Sequence, residues 1–358
     1  MDPLDRTILS VQSHVTHGYV GGRAATFPLQ LLGWDVDVLN TVNFSNHSGY
    51  RRRPGEGART TGKELDAIVH GLEMNDLLHP ARLLTGYIPN ADCLSAVVRL
   101  VEKLRTRNPK LIYLLDPVLG DNNRLYVSPD VVPLYRNLLC TATIITPNWF
   151  EVETLVGFPL SSMEALRNAL HTLHGQYGVP HVVISSIPIT AERAAWLPDS
   201  GDYLDPPEND LRYASEDLLC VASIVSDGHS TSTVYTARIR QVAGYLSGVG
   251  DLFSALVLGY YDPHTSQTAL CDAVVKAIRT THALVRRTMQ TSKRASGADV
   301  DGYTDEELDS KDEDRRARRM KARELRIIGN NELILSAGGS QRQFGPEMQH
   351  WEAFWVNG

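Results

Sequence analysis

Short β-rich apolar runs alternate with helical patterns through most of this chain, and the polar residues able to do chemistry sit just after the runs rather than within them. Residues 7–11 form the first run, followed by a glycine-rich loop and a helical segment at about 23–32. Residues 36–42, 82–85, 111–115, 143–145 and 181–184 read as further strands. Between them, residues 64–78 place Leu65, Ile68, Val69 and Leu72 three and four apart, and residues 92–107 read as another helix. Strands that alternate with helices pair in parallel when each crossover helix lies over a face of the sheet. The expectation is an α/β fold with a central, mostly parallel sheet between helices. Ligands of such sheets bind beyond the C-terminal strand ends, which directs attention to Asp116, Thr146 and Ser185.

The 358 residues suffice for one large domain or two modest ones. Thirty-five Lys and Arg against 42 Asp and Glu give a net charge of −7, the wrong balance for holding nucleic acid by overall charge. No apolar run approaches the roughly 18 residues of a membrane span. The opening Met1-Asp2-Pro3-Leu4-Asp5-Arg6 lacks the basic end and apolar stretch of a secretory signal. Neither a nucleic acid nor a membrane is expected as a partner. Cys93, Cys140, Cys220 and Cys271 form no CxxC pair, which argues against structural zinc and a disulfide framework and fits a reducing compartment.

Three stretches break the alternation. Residues 190–217, with Pro198, Pro206 and Pro207, read as a polar excursion between two strands. Residues 305–314 are strongly acidic and 315–326 strongly basic, a solvated linker or charged helix, or more sharply a partner-docking segment. Residues 341–358 carry Trp351 and Trp355 after a glycine-rich turn and receive no placement.

Gly57-Ala58-Arg59-Thr60-Thr61-Gly62-Lys63-Glu64 nearly matches a phosphate-binding P-loop, but Glu64 replaces the hydroxyl residue that ligates magnesium, and no strand precedes it. A loop with a helix starting at Gly62 is the better reading. His14 and His17 fall in a glycine-rich loop, not on a helix face, and are not read as zinc ligands. Ser247-Gly248-Val249-Gly250-Asp251 precedes an apolar helical run. A helix N-terminus offers unpaired N–H groups, and the two glycines let an anion approach the backbone. Asp251 is then either a simple cap or a proton-accepting carboxylate beside an anion hole, the pairing that phosphoryl transfer to a hydroxyl needs. Asp116, Asp121, Asn148 and Glu151 follow two successive strands and offer hard oxygen ligands for magnesium. Asn148 and Glu151 also have the spacing of a helix capping box.

Taken in order, these motifs resemble a known family. Ser10-Val11-Gln12-Ser13-His14-Val15, Gly18-Tyr19-Val20-Gly21, Asn43-Phe44-Ser45-Asn46-His47-Ser48-Gly49-Tyr50, Leu84-Thr85-Gly86-Tyr87, Asp116-Pro117-Val118-Leu119-Gly120-Asp121, Ile145-Thr146-Pro147-Asn148 and the turn at 248–253 are similar to pyridoxal kinases. The DPVxGD and TPN–E motifs alone mark only the wider ribokinase-like superfamily; the N-terminal motifs point to the pyridoxal branch. The resemblance runs with interruptions from about residue 8 to 293, and a weaker trace recurs at Glu324-Leu325-Arg326.

That resemblance implies a ribokinase-like α/β/α fold in three layers, with a small strand element at one edge. It implies a kinase domain over 1–294, a charged linker over 295–322, a returning segment over 323–336 and a tail over 337–358. It implies ATP-dependent phosphorylation of the 5′-hydroxymethyl group of pyridoxal, pyridoxine or pyridoxamine. By the family pattern Asp251 is the general base, and the amides of Gly248, Val249, Gly250 and Asp251 form the anion hole. Ser13, Ser48 and Tyr87 hold the pyridine ring, with Val20, Val42, Phe44 and His47 nearby. Asp116 and Glu151 lie near magnesium, mostly through water; Asn148, Ser185 and Ser186 contact phosphate; Val242, Ala243 and Gly244 lie along the nucleotide. Asp121, Thr146 and Ser185 cradle K+ or Na+, and residues 118–126, including Tyr126, form a lid. A homodimer in the cytoplasm, with the nucleus also open, completes the implied picture. The family turn usually reads GTGD; here Val249 removes a hydroxyl that can bond a phosphate oxygen. Another ribokinase-like kinase, for instance for a hydroxymethylpyrimidine, and a catalytically impaired scaffold that binds the vitamin are the alternative readings.

Overall fold

Six strands pair in parallel at the centre of the structure, and consecutive side chains on each point to opposite faces. The computed structural model describes residues 6–52, 58–121, 123–198, 211–225, 231–296, 304–312, 314–337 and 348–356. In chain order the strands are β1 (Thr7–Val15), β2 (Asp35–Phe44), β3 (Ala58–Arg59), β4 (Arg82–Thr85), β5 (Ile112–Leu115), β6 (Gly120–Asp121), β7 (Arg124–Leu125), β8 (Ile144–Ile145), β9 (His181–Pro188), β10 (Leu218–Ile224), β11 (Thr233–Ile239) and β12 (Gln349–His350). The helices are α1 (Gly22–Leu31), α2 (Gly62–Met74), α3 (Ala91–Arg107), α4 (Val131–Leu139), α5 (Trp149–Val156), α6 (Met163–His171), α7 (Ala191–Ala194), α8 (Val249–Tyr260), α9 (Ala269–Ser296), α10 (Asp305–Lys311), α11 (Arg315–Ala322) and α12 (Glu332–Ala337).

One ten-stranded sheet has the order β12-β11-β10-β9-β8-β5-β4-β1-β2-β3, and β6 pairs with β7 in a separate hairpin. The strands from β2 to β9 in that order are parallel, while β10, β11 and β12 extend one edge antiparallel and β3 closes the other. Leu9, Leu83, Leu115, Ile145 and Val182 pack on one face with side chains of α2 to α6. Their neighbours Ile8, Leu84, Leu114, Ile144 and Val183 pack on the other with α1, α8 and α9. Burial on both faces explains why these strands read as continuous apolar runs instead of alternating ones. The result is the ribokinase-like three-layer fold.

Thr61 caps α2 and Glu64 returns its carboxylate to the Thr61 N–H at 2.8 Å, so the P-loop look-alike is a helix start. Residue 57 of that motif lies outside the described residues.

The charged stretch departs from the linker reading. Residues 305–311 and 315–322 form α10 and α11, the charged-helix alternative. Asp305 and Asp309 lie one turn apart on α10, and Arg315, Arg319 and Arg323 recur every fourth position opposite them. Arg315 reaches Asp305 at 2.9 Å and Asp309 at 2.5 Å; Arg319 reaches Asp309 at 2.5 Å; Arg323 reaches Asp305 at 2.5 Å. Isolated surface ion pairs contribute little, but here Arg319 and Arg323 are buried and each aspartate is shared by more than one arginine. The tail also has a place: β12 pairs with β11, Phe354 is buried in the core, and the Trp355 indole donates to Ser232 O at 2.7 Å. It covers an edge strand whose backbone groups need partners. Residues 199–210 of the polar excursion and 338–347 of the tail lie outside the described residues.

Helix α8 is tied down at its C-terminal end. The Trp34 indole donates to Gly259 O at 3.1 Å, and Arg82, stacked on the Trp34 ring, donates to Leu258 O. The last carbonyls of a helix carry partial negative charge, so a buried cation suits that end. Burial lowers the guanidinium pKa to about 10, which leaves it charged at neutral pH. Arg82→Ala is expected to destabilise the chain by about 2–4 kcal/mol through lost packing and orphaned carbonyls, measured by equilibrium urea unfolding.

Candidate functional site

The parallel ladder continues for one step beyond the formal strand ends. Asp116 N–H donates to Thr85 O at 2.9 Å, Thr146 N–H to Leu115 O at 3.2 Å, and Ser185 N–H to Pro147 O at 2.9 Å. These bonds set Asp116, Thr146 and Ser185 side by side on adjacent strands, with Asp116 and Thr146 buried. The β9–β10 register shifts opposite Ser185 and Ser186, a local bulge of the kind that re-aims side chains near sites.

The N-terminus of α8 arrives at the same place. Gly248 precedes the helix with φ +83°, and no side chain caps it. A β-carbon at Gly248 would collide with the Tyr19 carbonyl, while one at Gly250 would meet none of the described residues within 4 Å. Asp251 is not the cap: it lies in the first turn of α8, with its carboxylate toward the backbone N–H of Gly21, in the loop after β1. Among the described residues no side chain caps the first amides of α8. Val249 packs against the apolar cluster beneath α8. One turn on, the Ser254 hydroxyl donates to Asp116 Oδ2 at 2.8 Å and lies 2.8 Å from Thr146 Oγ1. The sequence reading missed Ser254; the signal is a lone hydroxyl three residues after Asp251, on the same face of an apolar helix.

Asn148 and Glu151 do form the capping box, and Glu151 does more. Its Oε2 takes the Asn148 N–H at 2.9 Å, and its Oε1 takes the N–H of Leu119 at 2.9 Å and of Gly120 at 3.4 Å. Asn148 Nδ2 in turn donates to Gly120 O at 2.9 Å. Helix α5 is thus stitched to the start of the β6–β7 hairpin, which bears Asp121 and leads to the exposed Tyr126.

Three acids of this region have raised pKa values. Burial, then the charge of Asp251, lifts Asp116 to about 8. Burial and the charge of Asp116 lift Glu151 well above the carboxylate range. Burial lifts Asp251, against the opposing Gly21 N–H and His47. Like charges gathered out of water favour protonation unless a cation joins them. Asp116 and Glu151 fit a divalent ion in that sense: two buried carboxylates with unmet negative charge. Among the described residues no cluster of three or more His, Cys, Asp or Glu side chains could hold a metal directly, and the Glu151 oxygens already accept three N–H groups. The fit is to an ion held mainly through water. Of the residues expected around a monovalent ion, Thr146 faces the Ser254 hydroxyl and Ser185 Oγ lies 3.4 Å from Pro147 O.

Val42 and Phe44 join Val15 in a small apolar cluster, with Val20 and Tyr87 packed on it. Ser13 lies against Gly21, where any β-carbon would overlap it. Ser48 is exposed. His47 is buried and touches Glu324, whose oxygens also accept from Tyr50 and Tyr19. Glu324 and Tyr50 were not among the expected site residues. On the other side, Val242, Ala243 and Gly244 line a cavity of about 180 Å³ with Met289, Lys293 and Arg323.

Comparisons with known proteins agree with this architecture. The phosphomethylpyrimidine kinase family model matches residues 64–299. A pyridoxal kinase of Arabidopsis thaliana is 38% identical over 80% of this chain and 84% of its own length. One from Sus scrofa is 37% identical over 82% and 86%. The solved structure of a Leishmania donovani pyridoxal kinase with ADP and pyridoxamine superimposes with a TM-score of 0.74 at 31% identity, covering 97% of this chain and 99% of that one. With this fold and with relatives this similar over most of its length, the chain belongs to the pyridoxal kinase family.

Proposed function

We propose that this chain transfers the γ-phosphoryl group of ATP to the 5′-hydroxyl of pyridoxal, with pyridoxine and pyridoxamine as further acceptors. The observation that carries this reading is the Asp251 carboxylate, which lies in the first turn of a helix that no described side chain caps, faces the Gly21 N–H and is close enough to the strand-end Asp116 for the two charges to interact. The family relationship supports the substrate.

Tyr87, Val20, Val42 and Phe44 supply apolar faces for the pyridine ring, and Ser13, Ser48 and His47 supply polar contacts to its substituents. Asp251 takes the proton of the 5′-hydroxyl as its oxygen bonds to the γ-phosphorus. The bond from that phosphorus to the bridging oxygen breaks, and ADP leaves with the electron pair. The amides of Gly248 to Asp251 hold the negative charge of the moving group, and Asn148, Ser185 and Ser186 contact the phosphates. Asp116 and Glu151 are the residues that would hold magnesium, which when bound would supply charge neutralisation for the phosphates. Asp121, Thr146 and Ser185 are assigned to a monovalent cation, and Val242 to Gly244 and Tyr126 to the nucleotide and its lid. A homodimer and a cytoplasmic location belong to the same proposal.

Asp251→Ala is expected to lower kcat by roughly 10²–10⁴, measured as ATP-dependent formation of pyridoxal 5′-phosphate. Near-normal turnover would remove Asp251 as the base, and preferential phosphorylation of a hydroxymethylpyrimidine in direct competition would move the substrate. Val249→Thr is expected to raise kcat by less than about tenfold, because backbone amides, not that side chain, form the anion hole. A rise above about a hundredfold in steady-state kinetics would assign the charge stabilisation to the hydroxyl.

Burial also makes a stability prediction. A carboxyl whose folded pKa lies above its unfolded value loses stability as pH rises between the two, and the loss persists above the folded pKa. For Asp116 that window runs from the ordinary carboxylate range to about 8. In chelator and without nucleotide, Asp116→Asn is expected to raise the melting temperature by about a few degrees near pH 8.5, with the gain vanishing near pH 4. Thermal melts across that pH range check it.

A further inference from the structure

Arg316, Met320 and Glu324 recur every fourth residue along α11 and the turn after it, so they share one side of that element. All three reach the loop that carries His47 and Ser48. Arg316 Nε donates to Gly49 O at 2.7 Å. The Met320 methyl group lies 2.7 Å from where a β-carbon of Gly49 would be, so glycine is what lets the two approach. Glu324 Oε1 accepts from the Tyr50 hydroxyl at 2.8 Å and from His47 Nε2 at 2.9 Å. Gly49 N–H points at His47 Nδ1 from 3.1 Å, which assigns the ring hydrogen to Nε2, facing Glu324.

The other carboxylate oxygen, Oε2, accepts the Tyr19 N–H at 2.9 Å. The Tyr19 carbonyl in turn abuts Gly248, where the anion-hole turn begins. Gly18 makes room for this, since a β-carbon there would lie 2.8 Å from Glu324 Oε1. One buried carboxylate thus joins the loop after β1, the loop after β2 and, through Tyr19, the turn before α8. The adjacent stripe of α11, Arg315, Arg319 and Arg323, is held by Asp305 and Asp309 of α10, which fixes where the helix lies.

We propose that Glu324 is a positioning residue for the substrate, holding residues 18–21 and 45–50 in the arrangement that accepts pyridoxal, with α11 as the clasp. The proposal rests on the assignment of Ser13, His47 and Ser48 to the substrate. Glutamine at 324 has a single acceptor oxygen and turns an NH2 group either toward the Tyr19 N–H or toward the His47 Nε2–H. It loses the bond to the Tyr19 N–H or the bond to the His47 Nε2–H without changing side-chain volume.

The test compares the full chain with Glu324→Gln, Glu324→Asp and Arg316→Gln. The expected result is a pyridoxal KM raised about tenfold in Glu324→Gln and about threefold in Arg316→Gln, with the ATP KM within about twofold and kcat within about threefold of the unaltered chain. Glu324→Asp, which keeps the charge on a shorter arm, recovers part of the loss. Calorimetric titration with pyridoxal alone reads the same weakening without turnover. Unchanged pyridoxal affinity in both Glu324→Gln and Arg316→Gln overturns the proposal. So does a parallel rise of both KM values together with a lowered melting temperature, the mark of a merely structural role. If the unaltered chain binds pyridoxal but does not phosphorylate it, and the variants bind less, the transfer reading fails while the positioning role stands. If the unaltered chain does not bind pyridoxal, both fail.

Discussion

Asp116, Glu151 and Asp251 come from three separate strand-to-helix junctions into one buried region, and their repulsion has to be balanced locally. Asp116 and Asp251 raise that problem together, as do Asp116 and Glu151. The protein answers with oriented dipoles: three backbone N–H groups on Glu151, the Ser254 hydroxyl on Asp116 and the Gly21 N–H on Asp251. None of these is a full positive charge. A site so arranged gains most from a ligand that arrives with its own cations, as ATP with magnesium does. The phosphate chemistry then needs no P-loop lysine, and the P-loop look-alike at the start of α2 is free to be a capping box.

The same logic explains how α8 is mounted. Among the described residues no side chain caps its N-terminus, so it lacks the local bond that usually fixes a helix start. Fixation comes from elsewhere. Arg82 and Trp34 hold the far end, and Tyr19 packs against Gly248 at the near end. Tyr19 is in turn held by Glu324, more than three hundred positions away in the chain. A site placed on a rigid element keeps its geometry only as well as the groups behind it.

What could be read from the sequence follows from range. Strand runs were visible because side chains buried on both faces make them apolar throughout, and the acids after them were visible because the fold places chemistry at strand ends. Asp251, Gly248, Asp116 and Glu151 stand in short local motifs. Ser254 was hidden inside an apolar helix, where a hydroxyl resembles a tolerated core residue. Glu324 is one acid at the end of a basic run, and its partners are distant in the chain. For α10 and α11 the charge was plain, but its meaning lay in spacing: Asp305 and Asp309 match Arg315, Arg319 and Arg323 in steps of four. The strand β12 has only two residues and a partner far away, so no local pattern announces it.

Val249 shows how a comparison of letters can pose a question that geometry recasts. Read against a GTGD turn, it is a missing hydroxyl at the point of phosphoryl transfer. In the structure it is the first residue of α8, with its side chain packed into the apolar cluster beneath the helix. The donors that face outward there belong to the backbone, and a β-branched side chain leaves them in place. The turn depends instead on Gly248, where a side chain would strike Tyr19, and on the loops that keep Tyr19 there. The constraint on this turn is therefore carried as much by Glu324, through Tyr19, as by the motif itself.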